Sequence, residues 1–108
     1  MDDSFADHLL EIIRKRNISE VDVYKRAGID RKYFEKIRNK KRRNLERLTI
    51  ILLCLSLELS YEESSYLYQR SKYAFSTCIK IDVIGKYFLE RKIYDVDHIE
   101  KFCTSLDY

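Results

Sequence analysis

The chain reads as an all-α fold, and three observations predict it. It holds no proline and only two glycines among 108 residues, so little in it interrupts a helix. Apolar residues recur at three- and four-residue intervals along most of its length, the period that lines one face of a helix. Hydrophobic residues make up 45% and charged residues 36%, enough apolar surface to build a core and enough charge to coat it. A chain of this length fits one core, and the expectation is a compact bundle of about five helices followed by two C-terminal helices.

Ser4 or Asp3 can cap a first helix, whose Phe5, Leu9, Ile12 and Ile13 share a face; it should stop near Asn17. Ser19 is placed to cap a second helix, with Asp22 three residues on as a weak form of capping box and Val23 and Ala27 recurring at i and i+4. Gly28 ends it, because glycine enters the left-handed region without a Cβ penalty. Ile29 then points inward, Asp30 caps a third helix, and Phe34 and Ile37 form that helix's buried face.

After a loop over Asn39 to Arg43, Asn44 is placed to cap a fourth helix running through Leu57. Leu45, Leu48, Ile51, Leu52 and Leu55 make it apolar around most of its circumference, so it should be the central helix. Ser60 and Glu63 form a capping box for a fifth helix over about 61–70. "SKYAFS" reads as a connection to two further amphipathic patterns, Ile79 to Arg91 and Asp95 to Leu106. Their apolar positions are Ile81, Ile84 and Phe88, then Val96, Ile99, Phe102, Cys103 and Leu106. Gly85 within the first of them costs about 1 kcal/mol relative to alanine unless a neighbouring backbone needs the room. Residues 1–72 are thus read as the core and 73–108 as a helical extension that packs on it or forms a dimer interface, all within one compact domain.

The net charge of +3 is unevenly spread. Arg31, Lys32, Lys36, Arg38, Lys40, Lys41, Arg42 and Arg43 stand against the single acid Glu35, which gives +7 over thirteen residues and leaves −4 for the rest. A concentrated positive face attracts polyanions. Cys54, Cys78 and Cys103 are far apart and odd in number, and the N-terminus shows no signal-peptide pattern, which together predict a reducing, cytoplasmic setting. The longest uncharged run, Leu48 to Leu57, is about half the length a bilayer requires, so no membrane association is expected.

Two short helices joined by a tight turn at Gly28, with Val23, Ala27, Ile29, Phe34 and Ile37 inward, are what a helix-turn-helix needs. The stretch "SEVDVYKRAGIDRKYFEKIRNKKRRNLERLTIILLCLSLELS" resembles the helix-turn-helix of the Cro and phage-repressor family of DNA-binding regulators. The matching features are the "AGI" turn, the aromatic residue and isoleucine inside the third helix, the basic "RNKKRRN" loop and the apolar helix after it; the resemblance covers about Phe5 to Leu67. It implies a lambda-repressor-like fold that binds double-stranded DNA. Arg31 to Ile37 would form the recognition helix, with Arg31, Lys32, Tyr33, Glu35 and Lys36 facing bases. Arg38, Asn39, Lys40, Lys41, Arg42 and Arg43 would hold phosphates. Arginine and lysine donate to guanine O6 and N7, glutamate accepts from cytosine N4, and loop cations neutralise phosphate. Two positions depart from the family pattern. Tyr24 stands where a small residue usually packs, and Glu20, a carboxylate that repels DNA, stands where a glutamine or threonine commonly begins the second helix.

Family members bind as dimers to two half-sites, so the resemblance implies a homodimer, with the extension as its interface. An alternative is a helix-turn-helix scaffold serving as a protein- or ribonucleoprotein-binding accessory or inhibitor module of phage or defence type, with a protein partner on the C-terminal helices. The tyrosines Tyr61, Tyr66, Tyr68, Tyr73, Tyr87 and Tyr94 read as core or interface residues rather than a stacking surface for single strands. His8 and His98 have no partner at metal-ligand spacing, and Asp95, Asp97 and Glu100 resemble a helix cap rather than a catalytic pair. No nucleophile with an adjacent base, no phosphate-cradling glycine loop and no zinc spacing occurs, so neither an enzyme nor a cofactor or metal is expected.

Overall fold

Five helices begin where a short polar side chain meets an orphaned amide. Ser4 Oγ accepts from the Asp7 amide at 3.1 Å, Ser19 Oγ from Asp22 at 3.0 Å, Asp30 Oδ2 from Lys32 at 3.1 Å and Asp95 Oδ1 from His98 at 3.1 Å. At Ser60 the reciprocal box is complete: its hydroxyl accepts from the Glu63 amide at 3.0 Å and Glu63 Oε1 accepts from the Ser60 amide at 2.9 Å. The Ser60 amide, with Arg16 beside it, holds the Glu63 carboxyl below its ordinary range.

The computed structural model describes residues 4–42 and 44–106; Asp3 and Arg43 lie outside them, as does the side chain of Leu106. Within them the chain is all-helical, with no strand: α1 (Phe5–Lys15), α2 (Glu20–Ala27), α3 (Arg31–Arg38), α4 (Arg47–Ser56), α5 (Tyr61–Arg70), α6 (Lys80–Glu90) and α7 (Val96–Leu106). Its radius of gyration, 13.0 Å, is that of a compact domain of this length. No helix among the described residues is long and apolar enough to cross a membrane.

From α1 to α6, every helix closes in the same way. A residue in the left-handed region follows the last turn: Asn17, Gly28, Lys40, Glu58, Lys72 and Lys92. Its amide and the next one fold back onto the final turn, as in Lys40 N to Ile37 O at 3.0 Å and Lys41 N to Lys36 O at 2.8 Å, which is the Schellman closure. Only one of the six is glycine, so the motif is carried by side chains elsewhere. The second of the two amides usually belongs to an apolar residue that packs inward on the helix it has just left. Ile18, Ile29, Leu59, Tyr73 and Ile93 fill that place after α1, α2, α4, α5 and α6, and all five belong to the core or pack against it.

α4 is the centre. Its residues from Ile50 to Ser56 are all buried, and it touches α2, α5, α6 and α7. It starts later than the sequence predicts: Asn44 is not its cap, and Glu46 stands in that position without a side-chain cap bond. Leu45 is the reason. It is buried outside the helix, and its carbonyl accepts from the Tyr73 hydroxyl at 2.7 Å, so a tertiary contact holds extended a segment that local propensity would wind.

Gly85 also differs from expectation. A Cβ there would lie 2.8 Å from Ile51 Cδ1 and 3.2 Å from its Cγ2, so a side chain of α4, not a backbone, takes the space. α6 is further tied down by Asp82, a carboxylate 1% exposed. It accepts from Arg47 Nη1 and the Tyr68 hydroxyl and from the Ser76 amide at 3.0 Å, which joins α4, α5, α6 and the 71–79 connection. Burial and the adjacent Asp82 carboxylate push the Tyr68 hydroxyl's pKa up, so it remains a donor.

The tyrosines divide. Tyr68 is buried and Tyr61, Tyr73 and Tyr94 are half-buried, while Tyr66 and Tyr87 are exposed. His8 stands edge-on to Tyr66 and His98 edge-on to Phe88. Among the described residues no group of three or more His, Cys, Asp or Glu side chains could hold a metal ion.

Candidate nucleic-acid interface

Apolar residues at helical spacing set α3 in place. Val23 and Ala27 of α2 are fully buried, and Phe34 and Ile37 of α3 are 1% exposed. Between the helices Gly28 adopts φ 71° and ψ 28°. The space beside it is open, with only the Glu100 carboxylate 3.7 Å from where a Cβ would lie. The requirement for glycine is therefore the left-handed backbone and not crowding. The same contact places α7 against the turn, so the C-terminal extension reaches the α2–α3 pair directly.

With Phe34 and Ile37 inward, the other side of α3 turns to solvent. Arg31, Lys32, Glu35, Lys36 and Arg38 are exposed, as are Asn39, Lys40, Lys41 and Arg42 beyond it. Tyr33 is half-buried against the core, with the Arg42 guanidinium stacked over its ring at 5.1 Å. The structure thus brings ten of the eleven predicted contact residues to one helix and the loop after it; Arg43 is the residue outside the description.

The loop is built rather than slack. Asn39 ends α3, Lys40 turns left-handed, and the Lys41 and Arg42 amides both point to the Lys36 carbonyl, at 2.8 and 3.1 Å. Where the other five closures place an apolar residue, this one places Lys41, and the residue it folds back on is also a lysine. Two exposed lysines are thus joined through their backbones at this end of α3. Their positions at the C-terminus of α3 are favourable to cations.

Several predicted contacts are already engaged within the chain. Arg38 Nε lies 3.1 Å from Glu20 Oε1 and 3.2 Å from Oε2. Arg31 Nε lies 3.2 Å from Glu35 Oε2. Lys40 Nζ lies 3.0 Å from Asp7 of α1, and that bond holds the Asp7 carboxyl below its ordinary value. Lys32, Lys36 and Lys41 have no ion pair among the described residues. The Arg31–Glu35 pair was legible as an i, i+4 pair; Glu20–Arg38 and Asp7–Lys40 join residues far apart in the chain and carried no local signal.

Between α2 and α3 lies an open cleft of about 560 Å³, lined by Glu20, Val21, Tyr24, Arg31, Phe34, Glu35, Arg38 and Asn39. Tyr24 forms part of its floor, tilted against Phe34 with ring centroids 5.5 Å apart. Both departures from the family pattern, Glu20 and Tyr24, therefore sit on this face. Comparison of the chain with protein-family models, curated proteins and solved structures finds no match to any of them.

Proposed function

We propose that the protein is a sequence-specific, double-stranded DNA-binding transcriptional regulator with a lambda-repressor-like helix-turn-helix made by α2, Gly28 and α3, acting as a homodimer. The observation that carries the reading is the end of α3. Five helix ends place at the position that Lys41 occupies an apolar residue that belongs to the core or packs against it, and here the same backbone closure presents Lys36, Lys41 and Arg42 to solvent on the helix that also exposes Arg31 and Lys32. A rigid cluster of cations next to a helix with outward-facing donors suits phosphate holding and base reading. Arg31, Lys32, Tyr33, Glu35 and Lys36 are assigned to bases, and Arg38 to Arg43 to phosphates.

The dimer contact is assigned to α6 and α7, which leave Val83, Tyr87 and Phe102 exposed at 49%, 48% and 42%. Sedimentation at micromolar concentration without DNA tests it, and a monomer there counts against it. The test of DNA reading is selection from a random duplex library at about 150 mM salt, where phosphate-only binding is weak, with Arg31→Ala run in parallel. An enriched inverted repeat lost in the variant is the expected result.

One observation favours a second reading. The cleft between α2 and α3 has Val21 exposed and Tyr24 half-buried, an apolar strip between two internal ion pairs that suits a protein surface better than a phosphate backbone. In that reading the helix-turn-helix is a scaffold for an accessory or inhibitor module that binds a protein or ribonucleoprotein. No enrichment, with wild type and Arg31→Ala alike, selects it.

A further inference from the structure

We infer that Glu35 is a specificity-determining residue and that Glu20 restrains phosphate binding: they occupy Arg31 and Arg38 so that a bare phosphate backbone cannot take these arginines without stranding a carboxylate, whereas a G·C base pair satisfies the Arg31–Glu35 couple as a unit. The inference rests on the DNA-reading proposal and deepens it.

The argument begins with geometry. Arg31 and Glu35 are one turn apart on α3, joined at 3.2 Å, with side chains 73% and 51% exposed. Glu20 opens α2 and holds Arg38 through both carboxylate oxygens, the Glu20 side chain being 36% and that of Arg38 50% exposed. All four line one open cleft. Exposed pairs of this kind are weak and are readily exchanged for other partners. What decides the exchange is what the incoming surface offers to both members.

A phosphate offers acceptors only. It can draw Arg31 or Arg38 away, but it then leaves Glu35 or Glu20 facing a polyanion with no donor. A G·C pair in the major groove offers both kinds of group, because guanine O6 and N7 accept from an arginine while cytosine N4 donates to a carboxylate. Arg31 and Glu35 can part and each find a partner within one base pair. Glu20 finds no such replacement, although the N-terminus of α2 favours its charge. Its effect is to compete with phosphates for Arg38 on every sequence alike. Glu35 thus penalises sequences that lack the G·C pair, and Glu20 lowers phosphate binding throughout.

The test compares Glu35→Ala, Glu20→Ala and the control Glu62→Ala, which removes an equal charge from an exposed position on α5. Alanine is the best helix former, so all three variants should fold, and circular dichroism with thermal melting verifies it. Affinity is measured against the duplex recovered by selection and against an unrelated duplex, each from 50 to 200 mM salt.

The expected result is that Glu35→Ala and Glu20→Ala bind the unrelated duplex more tightly and with a steeper salt dependence than Glu62→Ala. One arginine freed for one phosphate steepens the slope by about 0.9 and costs a further three- to four-fold in affinity over that salt range. In Glu35→Ala the preference for G·C at the position read by Arg31 falls by roughly 5- to 150-fold. Wild-type protein that reads a sequence, with both variants matching Glu62→Ala in slope and preference, overturns this inference and leaves the DNA-reading proposal standing. Wild-type protein that retains no duplex overturns both.

Discussion

The ends of α3 and α4 share one backbone design and differ in where it sends its side chains. In each, a non-glycine residue turns left-handed, Lys40 or Glu58, and the following amide returns to the last turn, Lys41 N to Lys36 O at 2.8 Å and Leu59 N to Cys54 O at 3.1 Å. After α4, Leu59 and Cys54 are both buried, at 0% and 1% exposure. After α3, Lys41 and Lys36 are both exposed. The same hydrogen bonds therefore serve two ends: one closure staples a helix to the core, and the other holds a charged loop rigid outside it. A helix end whose backbone is already hydrogen-bonded loses less conformational entropy on meeting a partner than one that must first order.

The largest expected effect lies on the core side of this comparison. Leu59→Ala lowers stability by about 2–5 kcal/mol in urea unfolding, whereas Lys41→Ala changes it by no more than about 0.5 kcal/mol. Similar losses from the two variants would break the comparison. On the charged side, Lys41→Ala and Arg42→Ala each weaken duplex binding evenly across sequences and reduce the salt slope by about 1, read by fluorescence anisotropy against salt. A slope unchanged in both would detach the α3 end from phosphate contact.

A smaller effect concerns the left-handed residue common to both ends. Lys40→Gly removes backbone strain worth roughly 1–2 kcal/mol and adds unfolded-chain freedom that offsets about half of it, so a net gain of up to about 1 kcal/mol is expected in thermal melting. The substitution also removes the tie to Asp7, and the α3–α4 loop should then exchange its amide hydrogens faster. A loss of stability would show that the lysine tie outweighs the strain.

The smallest effect is set by pH. The Glu63 carboxyl is held below its ordinary value, chiefly by the Ser60 amide, so the folded state keeps it charged where the unfolded state already binds a proton. That contribution is present above the ordinary carboxylate range and is lost as pH falls through the lowered value. Glu63→Gln should therefore flatten the acid side of the stability profile and leave its shape above neutrality unchanged, as followed by unfolding at stepped pH. A parallel shift at every pH would point instead to a contact of Glu63 that does not depend on its charge.

Much of the fold was written in short-range pattern. The caps at Ser4, Ser19, Asp30 and Ser60 are read from one polar residue ahead of an apolar run, and the structure has each of them. The burial of Phe34 and Ile37 follows from their three-residue spacing, and with it the exposure of the residues between them. Asn44 misled because a capping residue competes only with its neighbours in a sequence, while in the folded chain the burial of Leu45 and its bond from Tyr73 compete too. The left-handed turns at Lys40, Glu58, Lys72 and Lys92 were illegible, since these residues have no preference for that region and adopt it only when the rest of the chain fixes the helix direction.

The candidate site divides along the same line. By itself the sequence determined that the chain is helical, which face of α3 is apolar, and that positive charge is concentrated from Arg31 onward, because periodicity, capping and charge density are properties of residues a few places apart. Only the tertiary structure decided which of those charges are engaged. Glu20 meets Arg38, Asp7 meets Lys40, and Glu100 approaches the turn at Gly28, because packing on α4 fixes the distances between side chains that the chain order leaves far apart.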